Sequence, residues 1–523
     1  MAKKSTSKNQ KSMEESLWDS ANKLRGTVES SQYKHVVLGL IFLKFASDKF
    51  EVRRKELKEE GKEKYLEVKE FYNMKNVFFL APESRWSHVI ENSKQDDIAL
   101  IVDTALHNIE KNNPALKGAL PDNYFSRLNL DPSKLAALLD TINNIDTVGD
   151  GEEDVVGRIY EYFLGRFAAA EGKGGGEFYT PKCIVNLIAE MLEPYKGKIY
   201  DPCCGSGGMF VQSIKFVESH QGNTKDISIY GQEYTAVTYK LAKMNLAIRG
   251  IAGNLGDVPA DTFSKDQHPD LKADYIMANP PFNQSQWREK NELEHDARWA
   301  GFTTPPTGNA NYAWILHMLS KLSENGTAGF VLANGSMSTS TSGEGDIRQE
   351  LIEKDMVDCM IALPGQLFYT TQIPVCLWFI TKNKKGGKTT NGDFRNREGE
   401  TLFIDARNLG SMIDRTQKEL TDEDIATITG TYHAWRTSVE NTEPVEVYED
   451  QAGYCKSATL EDIKSNDYVL TPGRYVGVVE EEYDPVAFEE KMTNLTATLK
   501  SQMNDAKILD SAINENLKTL GYE

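Results

Sequence analysis

Between Gly197 and Thr381 the chain alternates short apolar, β-branched runs with stretches of helical periodicity, and this alternation constrains the fold most. The runs are Gly197–Tyr200, Ile227–Gly231, Ala273–Met277, Thr327–Ala333, Val357–Leu363 and Val375–Thr381, each followed by enough chain for a helix. Strands joined by helical crossovers form an open, mainly parallel sheet covered on both faces, so the expected class is α/β. In such sheets ligands bind beyond the carboxyl ends of the strands, and the residues following each run are where chemistry is expected.

The flanks differ from this middle part. Residues 1–13 are rich in Lys and Ser and read as a disordered tail. Residues 14–170 carry apolar positions three and four apart, as in Leu17, Ala21, Leu24 and Val28 and again in Val37, Leu40 and Ile41, which predicts an all-helical domain. Within it Asp131-Pro132 has the form of an N-cap followed by Pro at the first helical position. The stretch EGKGGGE around Glu171 to Gly176 breaks all periodicity, and a second domain is expected from 171 to 476. In the last segment, 477–523, a stripe from Phe488, Met492 and Leu495 to Ile513, Leu517 and Leu520 predicts one long amphipathic helix. It packs either on another chain or back on the helical domain.

Composition excludes several classes. Lys+Arg of 59 against Asp+Glu of 78 leave a formal charge of -19, which disfavours a free-standing DNA binder or a membrane-surface protein. The longest apolar run, Val36 to Phe45, is about half the length of a membrane span. Six cysteines, two of them adjacent at Cys203 and Cys204, give neither a disulfide framework nor zinc spacing, which fits a reducing cytoplasm. His35, His220, His268 and His317 show no metal-ligand spacing, and no metal is assigned.

Three post-strand segments carry chemistry. After the first run comes Asp201-Pro202-Cys203-Cys204-Gly205-Ser206-Gly207-Gly208, a turn whose glycines admit a ligand to the backbone N–H groups at a helix start. The second run ends at Gln232-Glu233, where a carboxylate suits two ribose hydroxyls. The third is followed by Asn279-Pro280-Pro281-Phe282. Its two prolines remove backbone donors and stiffen the loop, leaving the Pro280 carbonyl free to accept. This loop suits alkylation of an exocyclic amine. Such a nitrogen shares its lone pair with the ring, and accepting both its hydrogens, on the Asn279 amide oxygen and the Pro280 carbonyl, restores nucleophilicity without a strong base. Phe282 would stack on a base that has left the duplex. The amines of adenine N6 and cytosine N4 fit this argument equally.

The order Phe178-Tyr179-Thr180-Pro181, then Asp201 to Gly208, then Asn279 to Phe282 resembles the adenine-N6 amino-methyltransferases. Leu24-Arg25-Gly26, Leu38-Gly39-Leu40, Gly174 to Gly176, and Asn466-Asp467-Tyr468 to Arg474-Tyr475-Val476 extend the resemblance to the modification subunit of type I restriction-modification systems. The resemblance implies a Rossmann-like class I fold that uses S-adenosylmethionine. By it, Phe178, Tyr179, Thr180 and Pro181 lie at the cofactor's methionine part, Asp201, Pro202, Gly205, Ser206, Gly207 and Gly208 beneath it, Glu233 on the ribose, and Asp261 on the adenine, with Asp257 competing for that place. Asn279, Pro280, Pro281 and Phe282 are the catalytic loop. Phe368, in Leu363 to Phe368, is a second stacking surface or a core residue. Neither Cys203 nor Cys204 is expected to act. The implied partners are a specificity subunit that reads the DNA site, a second copy of this subunit, restriction motor subunits and double-stranded DNA.

Two rival functions fit the same loop: methylation of RNA or of protein glutamine, and a non-catalytic assembly subunit. The stretch KKGGKTT at Lys384 to Thr390 imitates a phosphate-binding loop, but Lys382 stands where its first glycine is required. It is expected to be a basic surface loop.

Overall fold

The computed structural model describes residues 13–22, 30–148, 155–171, 180–368, 373–389, 392–415, 417–437, 447–478 and 485–520. The expected tail short of Met13, Leu24 to Val28, Gly174 to Gly176, Phe178 and Tyr179 lie outside the described residues. The chain forms two compact units, Met1–Val476 and Gly477–Glu523.

The strands are β1 (Gly197–Asp201), β2 (Ile227–Gly231), β3 (Gly253–Asn254), β4 (Ala273–Ala278), β5 (Leu322–Ala333), β6 (Val357–Ala362) and β7 (Val375–Thr381). They continue with β8 (Gly387–Thr389), β9 (Gly392–Phe394), β10 (Glu400–Asp405), β11 (Ser411–Met412), β12 (Lys418–Glu419) and β13 (Cys455–Thr459). Among the described residues, one nine-stranded sheet has the order β13-β10-β6-β7-β5-β4-β1-β2-β3, and β8–β9 and β11–β12 are separate hairpins. Every apolar run read from the sequence is a strand of this sheet.

The sheet is mainly parallel, as expected, with two exceptions. β7 runs antiparallel to both neighbours, β5 and β6, and β13 runs antiparallel to β10. The expected helix between the last two runs is absent from the described residues there, because Leu363 to Phe368 forms an irregular loop and β7 returns beside β6. Helices Ala236–Ile248, Asn311–Lys321 and Glu344–Glu353 fill the longer connections.

Period-two alternation explains the two covered faces. Ile199, Tyr275, Met277 and Val331 enter one core with the helices Lys182–Leu192, Gly208–Ser219 and Asp422–Arg436. Tyr200, Ile276, Ala278, Phe330 and Leu332 enter the other, with Asn311–Lys321. A third core gathers the N-terminal helices, including Leu17, Ala21, Val37, Leu40 and Ile41, and takes in Leu241, Met244 and Ile248 from Ala236–Ile248. Asp131 does cap its helix, accepting from the Ser133 N–H, with Pro132 at the first position.

The KKGGKTT stretch is not simply a basic surface loop. Lys384 is buried, because its ammonium pairs with Asp355 at 2.7 Å and donates to the Glu400 carbonyl at 2.6 Å. In the second unit, Pro485–Thr519 is one helix of 35 residues, along which Met492, Leu495, Leu499, Met503, Leu509, Ile513 and Leu517 are exposed. No helix among the described residues is long and apolar enough to cross a membrane.

Candidate active site

The chain runs outward from β1 to β2 and β3, then resumes at β4 on the other side of β1. The loops after β1 and β4 therefore part, opening a crevice at the carboxyl edge of the sheet. Asp201, Gly205, Ser206, Gly208 and Asn279 line it, together with Thr180 at the start of Lys182–Leu192 and Glu161 and Leu164 from the helix Val155–Glu171.

The wall after β1 is tied to backbone. Asp201 is buried and its Oδ1 accepts from the Cys203 N–H at 3.0 Å. Glu233 accepts from the Gly205 N–H at 3.0 Å and from the Thr235 N–H at 2.8 Å, so it spans the ends of β1 and β2. Gly207 adopts φ 80° as the helix Gly208–Ser219 begins, a conformation that favours glycine. A Cβ at Gly205 or Gly208 would meet no atom within 4 Å, so a side chain at either would project into open space at the cleft. Asn245 donates to the Ser206 carbonyl, and Thr262 to that of Pro202.

Burial, assisted by the nearby charge of Glu233, raises the Asp201 carboxyl to about 7. Burial also holds the thiols of Cys203 and Cys204 far above their usual range, which makes both poor nucleophiles.

The wall after β4 is built differently. Asn279 donates its Nδ2 to Thr180 Oγ1 at 2.9 Å, while its Oδ1 is shielded from solvent and has no partner among the described residues. Pro280 is buried, and Pro281 and Phe282 are partly exposed. The loop is pinned from below by Asn311, whose side chain accepts from the Asn283 N–H at 3.1 Å and donates to Asn283 Oδ1 at 2.9 Å. Phe282 and Phe368 meet edge to face, with ring centroids 5.7 Å apart and planes at 75°. Phe368 is 5% exposed, so a base can enter between the rings only if they separate.

Asp261 uses Oδ1 to accept from the N–H groups of Phe263 and Ser264, closing a turn beside Glu233, whose carbonyl takes the Ala260 N–H at 2.9 Å. Asp257 is exposed further along that loop.

The sequence reading did not anticipate Thr180 holding Asn279, the cleft wall from Val155–Glu171, or the part played by Gln232 and Arg298. Gln232 is fully buried and bonds Ala260, Lys265 and Gln267, fixing the Asp261 loop to the end of β2. Arg298 chelates Asp296 and donates to the carbonyls of Thr262 at 2.9 Å and Phe263 at 2.7 Å. It thereby clamps the segment after Phe282 to the Asp261 turn. Nearby, burial and then the charge of Arg298 press His317 down to about 3, and the neutral ring bonds the Tyr200 hydroxyl at 3.1 Å. Gln232 beside Glu233, and Thr180 within the Phe178 to Pro181 motif, carried a local signal, though not for these contacts.

A doubly wound sheet with a glycine-lined cleft on one side of its switch point and an unpaired amide oxygen in an Asn-Pro-Pro-Phe loop on the other defines an amino-methyltransferase. The profile of the N-6 DNA Methylase family matches residues 151–484, and that of the HsdM N-terminal domain matches residues 13–142. The chain is 51% identical to the type I restriction enzyme HindI methylase subunit of Haemophilus influenzae, over 82% of this chain and 94% of that protein. It is 40% identical to the MjaIX methylase subunit of Methanocaldococcus jannaschii, over 97% and 91%. A crystal structure of the type I restriction-modification methyltransferase subunit from Streptococcus thermophilus superposes with a TM-score of 0.71 at 25% identity, covering 89% of this chain and 99% of that one. The chain belongs to the N-6 DNA Methylase family, among the methylase subunits of type I restriction systems.

Proposed function

We propose that this chain transfers a methyl group from S-adenosylmethionine to the N6 amine of an adenine in double-stranded DNA, at a site read by a separate specificity subunit. The observation that carries the reading is the unpaired Asn279 Oδ1 beside the glycine-lined cleft. Thr180 fixes the amide so that its oxygen is the group left to accept, and the Pro280 carbonyl takes the second amine hydrogen. Held in this way the nitrogen moves toward tetrahedral geometry and its lone pair becomes available. Phe282, with Phe368 once the rings part, stacks on the base. S-adenosylmethionine held in the cleft would supply an electrophilic methyl that passes from its sulfonium sulfur to this nitrogen, leaving the thioether, and the spare amine proton would go to water.

The glycine-lined cleft gives such a ligand close approach to the backbone. Thr180 and Pro181, and Phe178 and Tyr179 before them, serve the methionine part, with Asp201, Pro202, Gly205, Ser206, Gly207 and Gly208 beneath, Glu233 on the ribose and Asp261 on the adenine.

The partners are a specificity subunit, a second copy of this chain and, in the full complex, restriction motor subunits, working in the cytoplasm where the DNA lies. The net charge of -19 supports delegated site reading, and the exposed stripe on Pro485–Thr519 supports assembly through that helix. The test is co-expression with the neighbouring specificity gene, supply of labelled cofactor and identification of the product. N6-methyladenine in DNA is expected; N4-methylcytosine, or label confined to RNA or to protein glutamine, would overturn the reading.

A further inference from the structure

We infer that Arg249 is a positioning residue for the cofactor: tied to Glu161 of the helical region, it turns the Asn245 amide so that this amide fixes the glycine turn beneath the ligand. The inference rests on the reading of the cleft as a site for S-adenosylmethionine and adds what holds that site in shape.

The contacts run from Glu161 through Arg249 and Asn245 to Ser206. Asn245, on the helix Ala236–Ile248, is 3% exposed and donates its Nδ2 to the Ser206 carbonyl at 2.8 Å. Arg249, one helical turn on, donates its Nη1 to Asn245 Oδ1 and also to the Asn245 carbonyl at 3.2 Å. Its Nη2 reaches Glu161 Oε1 at 3.3 Å, and Lys215 of the helix Gly208–Ser219 meets the same oxygen at 2.7 Å. Glu161 belongs to Val155–Glu171, whose Ile159, Tyr160 and Phe163 are buried in the N-terminal core.

Each contact sets the next. A side-chain amide can present either its oxygen or its nitrogen to a neighbour. The guanidinium of Arg249 has donors only, so it claims the Asn245 oxygen and leaves the nitrogen to face Ser206. The peptide between Ser206 and Gly207 is then held from both sides, because the Gly207 N–H donates to the Cys204 carbonyl at 2.8 Å. Without the Asn245 bond the Ser206 carbonyl can swing, and the backbone of Gly208, which lines the cleft, moves with it. The Arg249 side chain is only 7% exposed, so its charge needs a carboxylate, and the helical region supplies one in Glu161. A forked guanidinium reaches Asn245 and Glu161 at once, which the single ammonium of a lysine does not. The seating of the helical region is thereby passed to the turn beneath the cofactor.

The experiment measures S-adenosylmethionine affinity by calorimetry on the full chain, with kcat taken on the complex with the co-expressed specificity partner. Asn245→Ala and Arg249→Met are each expected to raise the cofactor Kd about tenfold, with a smaller change in kcat at saturating cofactor. Arg249→Lys should bind nearly as weakly as Arg249→Met. Because Arg249 acts through Asn245, the double variant should bind no more weakly than Asn245→Ala alone. Glu161→Gln, at a side chain 27% exposed, carries the same test where a change at Arg249 disturbs folding. It should raise the Kd about threefold, and only while Asn245 is present. Losses that add in the double variants would overturn the inference, as would an unchanged Kd in Arg249→Met or Glu161→Gln. A lowered melting temperature with cofactor affinity intact would reduce the contacts to a structural brace and overturn it equally. Failure of the wild-type chain to bind S-adenosylmethionine would overturn the reading of the cleft itself, and the positioning role with it.

Discussion

On the β1 side of the crevice the carboxylates are committed before any ligand arrives: Asp201 accepts from Cys203, and Glu233 from Gly205 and Thr235. On the β4 side Asn279 is half-committed, with its nitrogen fixed by Thr180 and its oxygen buried and unpaired. The first wall is a finished receptor, in which backbone bonds hold the shape. The second stores a cost. An unsatisfied buried acceptor is unfavourable by about 1–3 kcal/mol, and only an arriving donor relieves it. On the proposed reading, cofactor affinity rests mainly on the first wall and reactivity toward the amine on the second, with Thr180 serving both, and substitutions at Glu233 and Asn279 should separate them.

The largest effect is expected from Asn279→Ala, which removes the unpaired acceptor. Methylation should fall about 10³-fold in kcat, while cofactor affinity by calorimetry stays near wild type. A comparable loss of cofactor affinity would break the division between the walls. Glu233→Ala should act in the opposite sense. It removes a brace across β1 and β2 as well as the proposed ribose contact, so cofactor Kd should rise about 100-fold with a smaller change in kcat at saturation.

Thr180→Val tests whether orientation matters on the β4 wall. Without the hydroxyl the amide can turn, and kcat should fall about tenfold, with Thr180→Ser retaining most of the rate. Steady-state kinetics on both variants decides the point.

The smallest effect concerns pH. Asp201 is raised to about 7 in the fold, so between its ordinary value near 4 and about 7 the native state holds a proton that the unfolded chain has lost. Stability contributed by this group therefore falls as pH rises through that window and levels off above it. From pH 6 to 8 the loss is about 1 kcal/mol, and Asp201→Asn should flatten that part of the profile in denaturant titrations.

The same division describes what could be read before the fold was seen. The strand runs, the Asp131 cap and the apolar stripe of Pro485–Thr519 follow from periodicity and from single residues with strong local preferences. β10 and β13 were missed. Phe403 and Ala458 are buried in them, but Glu400–Asp405 and Cys455–Thr459 are short and mix polar with apolar residues, since they lie toward the sheet's edge. The reversed direction of β7 was equally hidden, because Val375–Thr381 is buried along its whole length and a continuous apolar run carries no sign of which way it points.

At the site, the glycine turn and the Asn-Pro-Pro-Phe loop were legible because their chemistry is contiguous. The groups that make them work are not: Thr180 lies 99 residues before Asn279, and Arg298 is 36 residues beyond Thr262. Sequence by itself determined which segments become strands, turns and helices, because neighbouring residues set backbone sterics and hydrophobic period. Tertiary structure decided which of the two Asn279 amide atoms stays free and which loops share the crevice, because those outcomes depend on the strand order that brings the ends of β1 and β4 side by side.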